Sequence, residues 1–450
     1  MINKIKQKYK NQLMDKDFSE ILKGSFISFF AKAISVILGV LFSFLITHHY
    51  GAFEMGVYSL INSFFSIALI FSMMGFQTAI VRLIPEHIVK YSKKSAFSLF
   101  SQVVRIIIFL SLVISIISYL SSSVIANNFF KKEYLAPLLA LASYFVIFQA
   151  LGMLNKNSIR ALKKIKTLGL LDVLNAIFKI IFLLLATYLF YSENNPVYTI
   201  FAAHIFLFII SSIILYFVFH KEGNDKELIH KESNKGIVTI AFPMFLTSFM
   251  TVIISQTDII MLGLFNSIND VGIYSIAIKV ATLTSFVLVA INSIATPKFS
   301  ELYHAGKTEV LTKIAQKSSK LIFWVSFPII LVFIFFGKYI LSIFGEEFIV
   351  GYYVLILMSL GQLINGIAGS VGSFLNMTGS QIVFNRIIIL GGIVNIILNY
   401  LFIPLYGIIG AAIASMISMI LWNILASLYI KRKFGFFIGY IPFLTNRCNY

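Results

Sequence analysis

Apolar stretches of about twenty residues recur from one end of this chain to the other. Roughly 30 Å of hydrocarbon requires that length at about 1.5 Å of helical rise per residue. The residues between them are few and polar. With 59% of 450 positions hydrophobic and 12% charged, a globule in water exposes too much surface to hide them. The solvent this composition calls for is a bilayer. Helix is then the expected state throughout, since each backbone group must find its partner internally.

The sequence predicts twelve spans: 25–47, 57–80, 97–120, 135–154, 168–190, 197–219, 237–265, 271–295, 318–336, 349–374, 383–403 and 407–430. Basic residues sort the connections between them. Cations crowd the N-terminal arm 1–24, the loops 82–94, 156–166, 220–235 and 298–317, and the run Lys431 to Lys433. The alternate connections, "HHYGAFE", "NNFFKKEY", "YSENNP", "NSIND", "FGEE" and "PLYG", are nearly free of them; only Lys131 and Lys132 intrude, beside Glu133. Lysine and arginine on short loops stay cytoplasmic, so both termini are predicted there. Orientation and attraction to anionic lipid account for the net charge of +18, with no nucleic-acid partner implied. The arm reads as retained, because the run after it is too long for a signal-peptide core. The single cysteine, Cys448, permits no intrachain disulfide.

The longest loop, His220 to Lys235, divides six spans from six. The predicted organisation is an arm (1–24), a first six-helix unit (25–219), a linker (220–236), a second unit (237–430) and a cytoplasmic tail (431–450). A repeat supports the division: "EMGVYS" at Glu54 to Ser59 matches "DVGIYS" at Asp270 to Ser275, and Arg82 falls on Lys298 at the same offset. Six spans per unit make the repeat parallel, which places a substrate site between the units near the midplane. Gly56 and Gly272 are expected to allow tight turns. Tyr58 and Tyr274 are expected at the membrane interface.

Charges inside apolar spans cost roughly 2.5–3.5 kcal/mol each on insertion scales, so each one needs a reason. Lys179 sits midway along its span, where snorkelling is hard; it lines a wet cavity or pairs with carbonyls between helices. Asp258 and Lys279 flank one short turn at matching depth and are expected to meet, as a permanent ion pair or a switch. Lys32 and Arg105 lie nearer the cytoplasmic side and either snorkel or face the cavity. His204 is a buried histidine or a proton carrier. Asn62, Gln149, Gln362, Asn365, Asn395 and Asn399 line the cavity or join helices by hydrogen bonds. Deep cations outnumber deep acids, which favours an anionic cargo such as a phosphate or pyrophosphate head. No phosphate-binding loop occurs, as "GKT" at Gly306 to Thr308 has Glu301 where the first glycine belongs. There is no metal-ligand spacing and no nucleophile elbow. No catalytic residue, metal or cofactor is expected.

Four stretches carry a family resemblance: "YGAFEMGVYS", "FQTAIVR", "QTDIIMLG…VGIYSIAIK" and "NIILNYLFIPLYGIIGAAIAS", the last with Asn395, Asn399, Pro404, Gly407 and Gly410. From about Leu22 to Ile430 the chain resembles the polysaccharide-transporter branch of the multidrug/oligosaccharidyl-lipid/polysaccharide exporter superfamily, the O-antigen flippases in particular. The resemblance implies an all-α integral membrane fold, two six-helix lobes in a V around a central cavity. It implies flipping of undecaprenyl-pyrophosphate-linked oligosaccharide, an O-antigen or capsule repeat unit, by alternating access across the bacterial inner membrane. Glycan polymerase and chain-length proteins are the implied partners, besides membrane lipids. Multidrug exporters of the superfamily often use an acid in the first helix, where this chain has Lys32. The runner-up is nonetheless a cation-coupled drug exporter, followed by a polytopic enzyme of glycan assembly.

Overall fold

The computed structural model describes residues 2–220 and 232–440, with side chains from Phe29 onward except His220, Ser293, Ile294 and Pro297. Most of the expected linker 220–236, and the tail beyond residue 440 with Cys448, lie outside the described residues. Those described form helices and no strand. In chain order they are α1 (Ile2–Met73), α2 (Phe76–Lys90), α3 (Lys93–Val124), α4 (Leu135–Ala161), α5 (Ile165–Leu189), α6 (Asn195–His220), α7 (Asn234–Phe265), α8 (Ile268–Ala281), α9 (Phe286–His304), α10 (Thr308–Ser342), α11 (Tyr352–Ala368), α12 (Val371–Met377) and α13 (Gln381–Phe434).

Among the described residues, ten helical stretches are long and apolar enough to cross a membrane. The difference from twelve lies in α1 and α13. Each contains one non-helical glycine, Gly51 (φ 77°) and Gly407 (φ 56°). Both lie in the left-handed region, where a Cβ is strained. Side-chain contacts show that the chain folds back there. The rings of Phe42 and Tyr58, on either side of Gly51, are 5.6 Å apart edge-on. Asn399 and Ser415, eight residues before and after Gly407 (407 − 8 and 407 + 8), both hydrogen-bond Asp258. The two long helices are therefore hairpins of two spans each, and twelve crossings result. The expected loops "HHYGAFE" and "PLYG" shrink to a single glycine each. Pro404, placed in a loop by the sequence, lies inside α13 just before that fold.

Other span ends shift for local reasons. The second limb of α1 stops at Met73, and α2 starts anew after Gly75 (φ 82°). The eighth span runs from α8 through a 3-10 turn, Thr282–Ser285, into α9. The tenth breaks at Gly369 (φ 78°), where a Cβ would sit 1.8 Å from Ser319 Oγ.

The largest core cluster straddles the two halves of the chain. It buries Ile46, Ile61 and Phe65 of α1 with Tyr274 and Ile276 of α8, and Phe348 beside them. At its centre the repeat packs against itself. A Cβ on Gly56 would lie 2.1 Å from Ile268 O, and one on Gly272 would lie 2.0 Å from Ala52 O. Both glycines are inside helices, so the expected role in turns is corrected: they let two helices touch backbone to backbone, as small residues do in membranes. Ser59 Oγ and Ser275 Oγ, the last residues of the repeat, meet at 2.8 Å.

Two charges tie the same end of the bundle. Lys132, from the first half, donates to the carbonyls of Gly263 and Asn266 (2.9 Å to the latter) at the C-terminus of α7. Glu347, from the second half, accepts from the amide of Ala52 at 2.7 Å, just after the fold in α1. A cation caps a helix C-terminus and an anion caps a helix N-terminus, each where the helix dipole favours it. This distal end is opposite the basic loops.

Candidate functional site

The first half builds a cationic pocket of about 220 Å³. Lys32, Ser35, Gly39 and Phe42 line it from α1, spaced to share one helix face. Asp172, Asn175 and Lys179 line it from α5 with the same spacing. Tyr58 closes one side, and Lys279 enters from α8 of the second half. Lys179 Nζ stands 6.0 Å from the centre of the Phe42 ring, a cation–π contact that holds the ammonium without neutralising it. Lys279 donates to Ser43 Oγ. The acid of the pocket, Asp172, is engaged by Lys156 of α4. Three ammonium groups thus face one cavity whose only carboxylate among the described residues already has a cation. Like charges at this range repel, and an anion placed among them converts that repulsion into attraction.

The sequence brings Lys32, Lys179 and Lys279 forward as candidates, and the fold gathers all three. Arg105 is exposed on α3 and is not among the lining residues. The expected pairing of Lys279 with Asp258 is overturned. Ser275 and Lys279, four residues apart, present one face of α8 to α1, where they bond Ser59 and Ser43. Tyr274 faces the other way, toward α7 and Asp258. Matching distance from a shared turn does not bring charges together when the side chains leave their helices in different directions.

Asp258 is buried at 6% exposure in a polar nest of the second half. Tyr274 Oη and Ser415 Oγ donate to its Oδ2, each at 2.5 Å, and Asn399 Nδ2 to its Oδ1 at 2.7 Å. Asn395 Nδ2 lies 3.5 Å from Oδ1 and 3.1 Å from Ser415 Oγ. Tyr274 is fully buried, so its expected interfacial placement is corrected too. Tyr58 is likewise buried beside Phe42. The Oδ1 atoms of Asn395 and Asn399 are buried without a hydrogen-bond partner. Such orphaned acceptors are costly. Here two of them flank a carboxylate. No group of three or more His, Cys, Asp or Glu side chains suited to a metal occurs among the described residues.

The sequence model of a family described as polysaccharide biosynthesis protein matches residues 21–303, more than half of the chain. The chain belongs to the polysaccharide biosynthesis protein family. A second family model, described as MatE, matches residues 243–401. An uncharacterized membrane protein of Methanocaldococcus jannaschii is 22% identical over 388 residues, 82% of this chain and 76% of that one. The probable flippase AglR of Haloferax volcanii is 33% identical over 175 residues, 38% of this chain and 37% of the relative. A solved structure of the lipid II flippase MurJ, in an inward closed conformation, superposes with a TM-score of 0.75 at 20% identity, covering 89% of this chain and 87% of that one. That likeness establishes the all-α multi-pass membrane fold.

In this member of the polysaccharide biosynthesis family the two sites occupy equivalent places. Gly56 and Gly272 are 216 residues apart (272 − 56). The same shift carries Phe42, Tyr58 and Lys179 onto Asp258, Tyr274 and Asn395. One repeat position holds a cationic pocket in the first half and an anionic nest in the second. His204 joins neither network by a hydrogen bond: its ring packs edge-on against Phe65 at 4.7 Å, and its Nε2 has no hydrogen-bond partner among the described residues. Sequence reasoning misses Asp172, Asn175 and Ser415. Asp172 and Asn175 are seven and four residues before Lys179, a same-face spacing that a search along α5 finds. Ser415 carries no such signal.

Proposed function

We propose that this chain is a flippase that moves a lipid-linked oligosaccharide, headgroup first, through the gap between its two halves. The observation that carries this is the convergence of Lys32, Lys179 and Lys279 on one pocket bounded by both halves. Three point charges suit a pyrophosphate, whose oxygens accept from several ammoniums at once. The lipid is undecaprenyl pyrophosphate, and the glycan is a repeat unit of O-antigen or capsule. The isoprenoid tail stays in the bilayer while the polar head crosses. The basic loops set the cytoplasmic face, so loading is from the cytoplasmic leaflet of a bacterial plasma membrane and release is at the distal end. A glycan polymerase and chain-length proteins act on the released product. The flippase names of AglR and MurJ are consistent with this class of activity.

Asp258 is the coupling group. A buried carboxylate flanked by two orphaned amide oxygens takes up a proton or a small hard cation. Filling that nest alters the packing of α7, α8 and α13 and so biases the two access states.

The test replaces Lys179 and Lys279 singly with alanine and scores surface glycan in a flippase-deficient strain at matched protein levels. Loss of glycan in each supports the reading; full glycan in both removes the anion pocket from the mechanism. The alternative, a cation-coupled drug exporter, draws on the MatE match, which contains Asp258. It predicts drug-dependent growth protection with unchanged glycan.

A further inference from the structure

A second basic cavity lies on the next face of α4. It measures about 600 Å³ and is lined by Gln77, Thr78 and Arg82 of α2, Asn157 and Arg160 of α4, and Met244 of α7, with Val81 and Met153. Met244 belongs to the second half, so this cavity also lies on the seam. Its place relative to the lysine pocket follows from two adjacent residues. Lys156 reaches Asp172 in the wall of the first pocket, and Asn157 faces the second. The two cavities are separated by about one helix breadth, on the order of 10 Å.

The chemistry of the two differs. The first presents ammoniums; the second presents two guanidiniums among amide and hydroxyl groups. Among the described residues, no carboxylate lines it. The nearest acid of its own helix is Glu86, which lies 3.9 Å from Arg82 Nε and is held at 2.6 Å by Lys90. Orientation in the membrane requires basic residues at this end, yet it does not require two of them to converge on one polar cleft. A guanidinium offers parallel N–H donors that match a carboxylate fork-to-fork. We propose that this cavity binds an acidic sugar of the cargo, a hexuronic acid or a similar carboxylate-bearing residue, while the lysine pocket holds the pyrophosphate. The inference rests on the flippase reading and adds the substrate class: a short anionic oligosaccharide whose acid lies a helix breadth from its phosphates.

The experiment uses the full chain in nanodiscs of phosphatidylcholine. Two synthetic probes are compared, a farnesyl-pyrophosphate trisaccharide ending in glucuronic acid and the same compound ending in glucose. The wild type should bind the acidic probe more tightly, by about tenfold or more, the span of a charge-assisted hydrogen bond. Arg82→Gln and Arg160→Gln should each lower the acidic probe's affinity toward that of the neutral one. Their unchanged affinity for the neutral probe reports that they are folded. Lys179→Ala should weaken both probes alike. Equal affinity of the wild type for the two probes overturns the acidic-sugar site and leaves the flippase reading standing. A preference that survives in both arginine variants does the same. Failure of the wild type to bind either probe overturns both. If phosphatidylglycerol in the disc erases the preference, the cavity is a lipid-headgroup site, and the acidic-sugar assignment falls.

Discussion

Gly272→Ala should loosen the distal closure of the two halves. The added Cβ would lie 2.0 Å from Ala52 O, 2.9 Å from Ala52 C and 3.0 Å from Gly56 N. All three are backbone atoms, so no side chain can swing aside. Ordinary contact begins at 3.4 Å, and the helices must part by at least 1.4 Å (3.4 − 2.0). Overpacking of this kind costs about 1–3 kcal/mol. That cost falls on the distally closed state, because it exists only where α1 and α8 touch. A bias of that size changes the ratio of closed to open by about 5- to 150-fold. The assay is electron–electron distance measurement between spin labels at Glu133→Cys and Glu346→Cys, exposed distal residues of the two halves, in a Cys448→Ser background. The distance distribution should gain a longer component, and Gly56→Ala should reproduce it. Gly39→Ala, with nothing within 4 Å of its added Cβ, should leave it unchanged. An unaltered distribution in both Gly56 and Gly272 variants, with unaltered melting, would refute backbone contact as the basis of closure.

Lys132→Met and Glu347→Gln each remove one helix-terminal cap. At about 0.3–1 kcal/mol per cap, each should enrich the longer spin-label component by about two- to fivefold, and an unchanged distribution would show that the caps are idle. Tyr274→Phe deletes one donor to the buried carboxylate of Asp258 and should lower stability by about 1.5–3 kcal/mol, read as a fall in the thermal melting temperature; an unchanged melt would sink the network. Asp258→Asn keeps the shape and removes the charge, so cargo movement in vesicles should lose its dependence on an imposed proton or cation gradient. Gradient-dependent transport by that variant would remove Asp258 from coupling. Gly407→Ala places a Cβ at φ 56° and should cost about 1–2 kcal/mol, measured by the same melt.

Some features of this chain are disclosed by its sequence and others are not. Twelve crossings were legible because each needs only length and apolarity. The seams at Gly51 and Gly407 were not, since a hairpin closed by one glycine leaves no polar loop to see. The repeat around Gly56 and Gly272 was legible as a repeat, but its purpose was misread: a turn and a close helix crossing both favour glycine. Lys32, Lys179 and Lys279 stood out because an ammonium in an apolar span is expensive wherever it points. Arg105 stood out equally and is not among the residues lining their pocket. Ser415 and Asn175 stayed hidden, because a small polar residue in a membrane helix is ordinary.

Hydropathy and charge along the chain determined the solvent, the number of crossings and the presence of costly cations, because each of these is a property of one segment at a time. The partners of those cations were decided only in three dimensions. Asp258 and Lys279 stand at similar distances in sequence from one turn, yet one faces its own half and the other faces across the seam. Helical phase and the packing of α1 on α8 set those directions, and that packing joins residues more than two hundred positions apart.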